Sequence, residues 1–312
     1  MSNSNANPLL TPWSGPYGLP PFIQTRPEHY EPAFEVAFDA HRAELAAIVA
    51  NPLPASFANT VGAFDRAGWL FNRLYDMFSN LAAAETSDAL QKVELALVPR
   101  IASHRTAIYM DEKLFARIDA VKQSIEAAGL SREDGRLLDR IHFDFVRQGA
   151  QIAAASRQRY ADIVARLAEL TTQFAQNVLK DETDWVLWLE GEADLAGLSP
   201  SLRDAARAAA QTRGKPDGYA ITLSRSSVVP FLTFSERRDL REQAFTALIT
   251  RGAHAGPTDN RQLAVEILQL RAEQARLHGY ATFADYALVD RMAKTPAAAR
   301  GLLMQAWTPA VA

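Results

Sequence analysis

Residues 27–49 read PEHYEPAFEVAFDAHRAELAAIV. Tyr30, Phe34, Phe38, Leu45 and Val49 recur at helical spacing with alanine in the gaps, and Pro27 opens the run where a missing amide donor costs nothing. The stripe predicts an amphipathic helix. Asn51-Pro52-Leu53-Pro54 ends it, because proline removes the amide donor and drives the residue before it out of the helical region. Upstream, Pro8, Pro12, Pro16, Pro20, Pro21 and Pro27, with Gly15 and Gly18, forbid a regular helix and predict an extended arm laid on the helical part that begins at Pro27.

The same reading carries downstream. Val61, Phe64, Gly68, Phe71, Tyr75, Phe78 and Ala82 alternate spacings of three and four, which predicts one long helix. A partner comes next from Ser87 to about Met110, with Pro99 expected to kink or split it. Asp111 and Ser131 are N-caps of two further helices, and Tyr160, Ile163, Val164, Leu167, Leu170, Phe174 and Val178 mark a longer one from about Ser156 to Leu179. At Asp184 the character changes. Asp184–Glu190 and Tyr219–Leu223 have strand composition, and Val228-Val229-Pro230-Phe231-Leu232 reads as a third extended piece. A short helix from Ser199 and Pro200 to Arg213 lies between the first two, and parallel and antiparallel pairing both stay open. Helices resume at Ser235, Thr258, Thr282 and Thr295-Pro296, each opened by a capping residue. The predicted fold is mainly α, with a small β element near 184–232. Its parts are an arm over 1–27, an up-and-down helical bundle over 28–181, a β-containing insertion over 182–234 and a helical segment over 235–312. Leu303, Trp307 and Val311 keep the apolar stripe running up to Ala312, so the last segment is expected to be truncated at its end.

Composition narrows the function. The 312 residues are 48% hydrophobic and 22% charged, which is ordinary for a globular chain and excludes collagenous and disordered classes. With no cysteine, disulfides, thiolate nucleophiles and zinc ribbons drop out, and a metal site would need His, Asp and Glu. A formal charge of −3 offers no field to hold a phosphate backbone, so nucleic acid is not an expected partner. The start, Met1-Ser2-Asn3-Ser4-Asn5-Ala6-Asn7-Pro8, lacks the basic and apolar regions of a secretory signal, and apolar runs such as Leu45–Ala50 are too short to span a bilayer. No membrane partner and a cytoplasmic location are the expectations.

No catalytic constellation is visible. His29, His41, His104, His142, His254 and His278 include no pair four apart, so the helical His-Glu-x-x-His zinc arrangement is missing. His142, between Ile141 and Phe143, reads as a half-buried histidine with one backbone or carboxylate partner. The acidic run Asp181, Glu182, Asp184, Glu190, Glu192 and Asp194 fits no calcium loop and reads as a solvated face of the small sheet. Arg237, Arg238 and Arg241 read as a solvated helix face paired with Glu236 and Glu242. Neither a Gly-x-Ser-x-Gly elbow nor a phosphate-binding glycine loop occurs. No catalytic, cofactor-binding or metal residue is nominated, and spacing alone describes a helical binding module.

An ordered set of short motifs adds a resemblance. Asn7-Pro8-Leu9-Leu10, Pro20-Pro21-Phe22, His29–Phe34, Asn51-Pro52, Phe57-Ala58-Asn59-Thr60, Ile108-Tyr109, Leu114–Ile118 and Arg136-Leu137-Leu138 begin it. Phe145–Ala150, Leu270–Ala275, His278-Gly279-Tyr280 and Met292–Pro296 continue it. In this order they resemble the amino-terminal half of dipeptidyl carboxypeptidases of the thimet-oligopeptidase family of zinc metallopeptidases. The resemblance implies a helical wall of a narrow channel that admits short peptides. It also implies an intact enzyme that removes carboxyl-terminal dipeptides, with zinc and the general base in a carboxyl-terminal half that would be this chain's missing partner. This chain alone is then expected to bind no zinc and to be inactive. An oligopeptidase A-like endopeptidase fragment is the near alternative, and a stand-alone helical peptide-binding or adaptor module the more distant one.

Overall fold

Helical periodicity resolves into helices along most of the chain in a computed structural model that describes residues 7–124 and 129–311. The first six residues of the expected arm and Ala312 lie outside the described residues. Cα packing divides the chain into two units, one of Met1–Glu169 with Gln269–Ala312 and one of Leu170–Leu268.

In the first unit, α1 (Tyr30–Val49) is the helix that the opening stripe predicts. After it come a five-residue π turn at Phe57–Val61, α2 (Gly62–Arg66), α3 (Trp69–Ala84) and α4 (Asp88–Tyr109). Tyr30, Phe34 and Phe38 of α1 bury against Phe71, Leu74 and Phe78 of α3, with Leu97 and Ile101 of α4 completing the core. Burying side chains of this size stabilises the unit by roughly 1.5–3 kcal/mol each. From Asn7 the proline-rich arm has no regular helix, only a turn at Pro8–Leu10 and three 3-10 turns, and it is pinned at Leu9, which is fully buried. Arg73 donates to the Leu9 carbonyl at 3.0 Å and lies between the rings of Trp13 and Trp69, at 4.5 and 4.6 Å.

One expectation fails here, and of the two alternatives at Pro99 the split does not occur. The single helix over 61–82 is broken, because Gly68 takes φ +74, and a Cβ there would lie 2.6 Å from the His41 ring. Its amide donates to Glu44 Oε2 at 2.6 Å, which fixes the break. Pro99 does not split α4, since buried Leu97 and Ile101 flank it and their packing outweighs one lost hydrogen bond. Further on, Asp111 accepts from the Lys113 and Leu114 amides and caps α5 (Glu112–Gln123), while Ser131 caps α6 (Arg132–Arg147). These two helices enclose Leu114, Ile118, Leu138 and Phe145.

α7 (Arg157–Asp184) runs longer than predicted and supplies residues to both units. In the second unit, β1 (Val186–Leu189) and β2 (Tyr219–Thr222) pair antiparallel, with Val186 opposite Thr222 and Leu189 opposite Tyr219. The helix between them is α8 (Pro200–Gln211), capped by Ser199. The expected third extended piece at 228–232 is instead helix, α9 (Arg225–Phe234). Val228 and Phe231, three apart, are both buried, and that burial overrides the strand preference of a Val-Val-Pro run. Next are α10 (Arg238–Ile249) and α11 (Arg261–Leu277), which start later than predicted. Ser235 and Thr258 do not cap them, because the Thr258 hydroxyl is committed to Asp181 and Ser235 bonds the Arg237 amide ahead of the helix.

The chain closes with α12 (Phe283–Leu288), capped by Thr282, and α13 (Pro296–Val311), where Thr295 accepts from the Ala298 amide. No residue described in α13 is buried.

Candidate functional site

The second unit holds a cleft of about 1020 Å³ between the end of α7, the start of β1, α10 and the 250–260 loop. Trp185, Leu187, Leu223 and Ala247 give it apolar surface, and Asp184, Asp239 and Glu242 give it carboxylates. The loop that borders it is laced to α7. Asp181 Oδ2 accepts from the Gly252 amide and from His254 Nε2, each at 2.7 Å, while Oδ1 accepts from the Thr258 hydroxyl at 2.5 Å. Burial pushes the Asp181 carboxyl up, but the hydrogen bonds from Thr258, Gly252 and His254 outweigh it and hold the group below the usual carboxylate range. His254 moves the other way, raised by its bonds to the Ala255 carbonyl and to Asp181.

A second polar clasp lies deeper. Asn177 Nδ2 donates to Asn260 Oδ1 at 2.8 Å, Asn260 Nδ2 to the Phe174 carbonyl at 3.0 Å, and the Asn260 amide to the Gly252 carbonyl at 2.7 Å. Gly252 sits at φ +66 with a Cβ position only 2.8 Å from Asn260 Nδ2, so the loop closes only with glycine there. Arg251 reaches Glu182 at 2.7 Å.

The acidic run is a solvated face only in part, with Asp184, Glu190 and Glu192 exposed and the other three committed to partners. Asp181 and Glu182 anchor the loop, Asp194 pairs with Arg237 and accepts from the Glu190 amide, and Glu192 pairs with Arg203. The arginine trio is corrected with it, since Arg237 pairs with Asp194 and Asp239, and Arg241 donates to the Ser235 carbonyl rather than to Glu236 or Glu242. Asp181, His254 and Thr258 contain the residue types of a nucleophilic relay without its wiring. Both His254 and Thr258 bond the carboxylate, so the hydroxyl has no base. The arrangement fixes a loop.

The six histidines stay dispersed. His29 accepts from the Arg26 amide at 3.0 Å, and His142 meets Asp119 at 3.0 Å, the single carboxylate partner its position predicts. His41 and His104 are buried against each other, Nδ1 to Nε2 at 3.1 Å, and His278 stacks on Tyr286. Burial, reinforced by His41, Arg42 and Arg105, lowers His104 to about 4. Among the described residues no three His, Asp or Glu groups converge to hold a metal ion, so they do not fit a zinc ion, which the resemblance implies in the carboxyl-terminal half instead.

Comparison with known proteins places the chain. It is 35% identical over 299 residues to dipeptidyl carboxypeptidase of Escherichia coli, which covers 96% of this chain and 44% of that protein. The Salmonella typhimurium dipeptidyl carboxypeptidase matches equally, at 35% over 98% of this chain and 45% of its own length. Oligopeptidase A of Haemophilus influenzae is 33% identical over 94% of the chain and 43% of its own length. Peptidase family M3 matches residues 231–310. The chain resembles Peptidase family M3. It spans less than half the length of these curated relatives. The M3 match runs from α9 through α13 and so includes the 250–260 loop and one side of the cleft. No motif announces that loop, since Asp181 and its partners stand more than 70 positions apart and only the turn formers Gly252, Gly256 and Pro257 show locally.

Proposed function

We propose that this chain is part of a zinc-dependent M3 metallopeptidase that removes carboxyl-terminal dipeptides from short peptides in the cytoplasm, and that its helices form one wall of the peptide channel. The observation that carries this reading is the 35% identity to dipeptidyl carboxypeptidases of two organisms over nearly the whole chain. That no helix among the described residues is long and apolar enough to cross a membrane is compatible with it. In this reading the metal and the general base belong to sequence that these residues do not include, and this chain by itself is inactive. The test is to combine it with the separately expressed remainder of the Escherichia coli dipeptidyl carboxypeptidase. Dipeptide release from an amino-blocked peptide should rise above that of the remainder alone and fall with a chelator. No rise, with association of the two pieces demonstrated, overturns the proposal. The similarity to oligopeptidase A supports an endopeptidase as second reading. A carboxyl-terminally amidated substrate separates the two, because internal cleavage tolerates the amide and dipeptide release does not.

A further inference from the structure

We propose that the first unit carries a pocket for a small monocarboxylate with an apolar body, gripped by the Arg105 guanidinium. Five helices bring residues to a cavity of about 300 Å³, among them His41 of α1, Phe64 of α2, Phe71 and Asn72 of α3, and Arg105 and Tyr109 of α4. Small-molecule sites start at about this volume, which confines the ligand to a body no larger than one or two amino-acid residues. Three aromatic rings supply the wall.

Arg105 is the unusual member. Its guanidinium lies 4.0 Å from the Tyr75 ring centroid and 5.6 Å from that of Phe71. Those rings fix the plane of the group and cover its face. Yet Arg105 forms neither a hydrogen bond nor an ion pair with any described residue. The N–H donors of this half-buried cation are spent on no described acceptor and stay open to solvent, free to take an anionic one. Carboxylate matches a planar fork with two parallel bonds, whereas a point cation such as lysine cannot make both.

The surroundings disfavour a doubly charged anion more than a singly charged one. Burial lowers His41, against a weaker opposing pull from Glu44, so the imidazole beside the cavity adds no second positive charge near neutral pH. Asp65 stands exposed on the lining and repels a dianion. Asn72 offers an amide to a ligand's own polar group. A phosphate monoester would meet one guanidinium and one carboxylate, a poor balance for its charge. The inference stands apart from the peptidase reading, since it needs neither metal nor partner.

Such a carboxylate comes from a free small acid or from the carboxyl terminus of a peptide. Isothermal titration of the whole chain with N-acetylphenylalanine, with its carboxamide, with an amino-blocked tetrapeptide ending in free phenylalanine, and with inorganic phosphate tests the site. The acid should bind one to one, and the carboxamide at least tenfold more weakly. Equal binding by the tetrapeptide supports the site with a peptide terminus as source, and exclusion of the tetrapeptide supports it with a free acid. Arg105→Met, which keeps the stacked stem, should lose at least tenfold, and Arg105→Lys most of that. If the variants fail to fold by circular dichroism, the comparison of acid with carboxamide on the unaltered chain still decides. Equal affinity for acid and carboxamide, phosphate binding as strong as that of the acid, or no binding at all overturns the proposal.

Discussion

Acid should begin to destabilise this protein above the pH at which its carboxylates titrate, and His104 contributes to that sensitivity. The imidazole packs 4.8 Å from the Phe38 ring and 5.1 Å from Phe71, with its Nε2 on His41. Its pKa falls from 6.5 to about 4, chiefly through burial, and that difference is worth about 3 kcal/mol between the protonation states. Because the folded pKa lies below the unfolded one, folding favours the neutral ring. The stabilisation is whole above pH 6.5 and is lost as pH falls toward 4, where the unfolded chain takes up a proton that the folded chain refuses. His278, lowered to about 4 by burial and by Arg147, adds a loss of the same sign. Urea unfolding at about pH 7.5 and about pH 4.5, followed by both circular dichroism and fluorescence, measures the fall. In His104→Phe the ring stays among the neighbouring phenylalanines and cannot protonate. Its fall between the two pH values should be smaller by about 2–3 kcal/mol. The comparison is made within each protein, so any loss from leaving His41 without its partner at neutral pH cancels. Identical falls in the two proteins would refute the account.

Gly68→Ala should cost at least about 2 kcal/mol in urea unfolding, since a left-handed residue alone costs roughly 1–2 kcal/mol and the new methyl meets the His41 ring; a change under about 0.5 kcal/mol would mean that the 67–69 turn relaxes freely. Asp181→Asn leaves the Gly252, His254 and Thr258 donors facing an amide, so trypsin at fixed pH should cut after Arg251 faster than in the unaltered chain, and an unchanged rate would remove Asp181 as the anchor. Leu302, Leu303, Met304, Trp307 and Val311 of α13 are 45–70% exposed, and this apolar stripe should drive the isolated chain to self-associate, as read by light scattering. Trypsin should also cut the monomer early after Lys294 or Arg300. A stable monomer with both bonds protected would contradict the exposure, and Trp307→Glu should abolish the association.

How much could be read beforehand depends on the range over which each feature is decided. The helices arise from side chains three and four apart, so α1, α4 and the Asp111 and Ser131 caps were legible, as was strand character at Val186–Leu189. Gly68 misled because its spacing matches the stripe, while its role is a backbone conformation that periodicity does not register. The 228–232 run misled for a different reason. Its branched residues favour strand locally, and only the burial of Val228 and Phe231 three positions apart makes it helix. Charge is the least legible of all. A window over 181–194 contains acids and no bases, and it cannot display Arg251, His254 or Arg237, which the fold brings to those acids from over 40 positions away.

The same contrast explains why neither candidate site has a motif. A motif is visible when the groups that do the chemistry lie on one turn of one element, as two imidazoles four apart do. Here each polar cluster is assembled from elements distant in sequence. The loop clasp joins α7 to residues 250–260, and the Arg105 pocket draws on five helices. In the pocket the informative feature is a missing partner, and a sequence offers no way to see that Tyr75 and Phe71 occupy the faces of a guanidinium while its edge stays free. A stacked guanidinium that meets no described acceptor and lines a cavity of ligand size is what turns a packing detail into a binding claim.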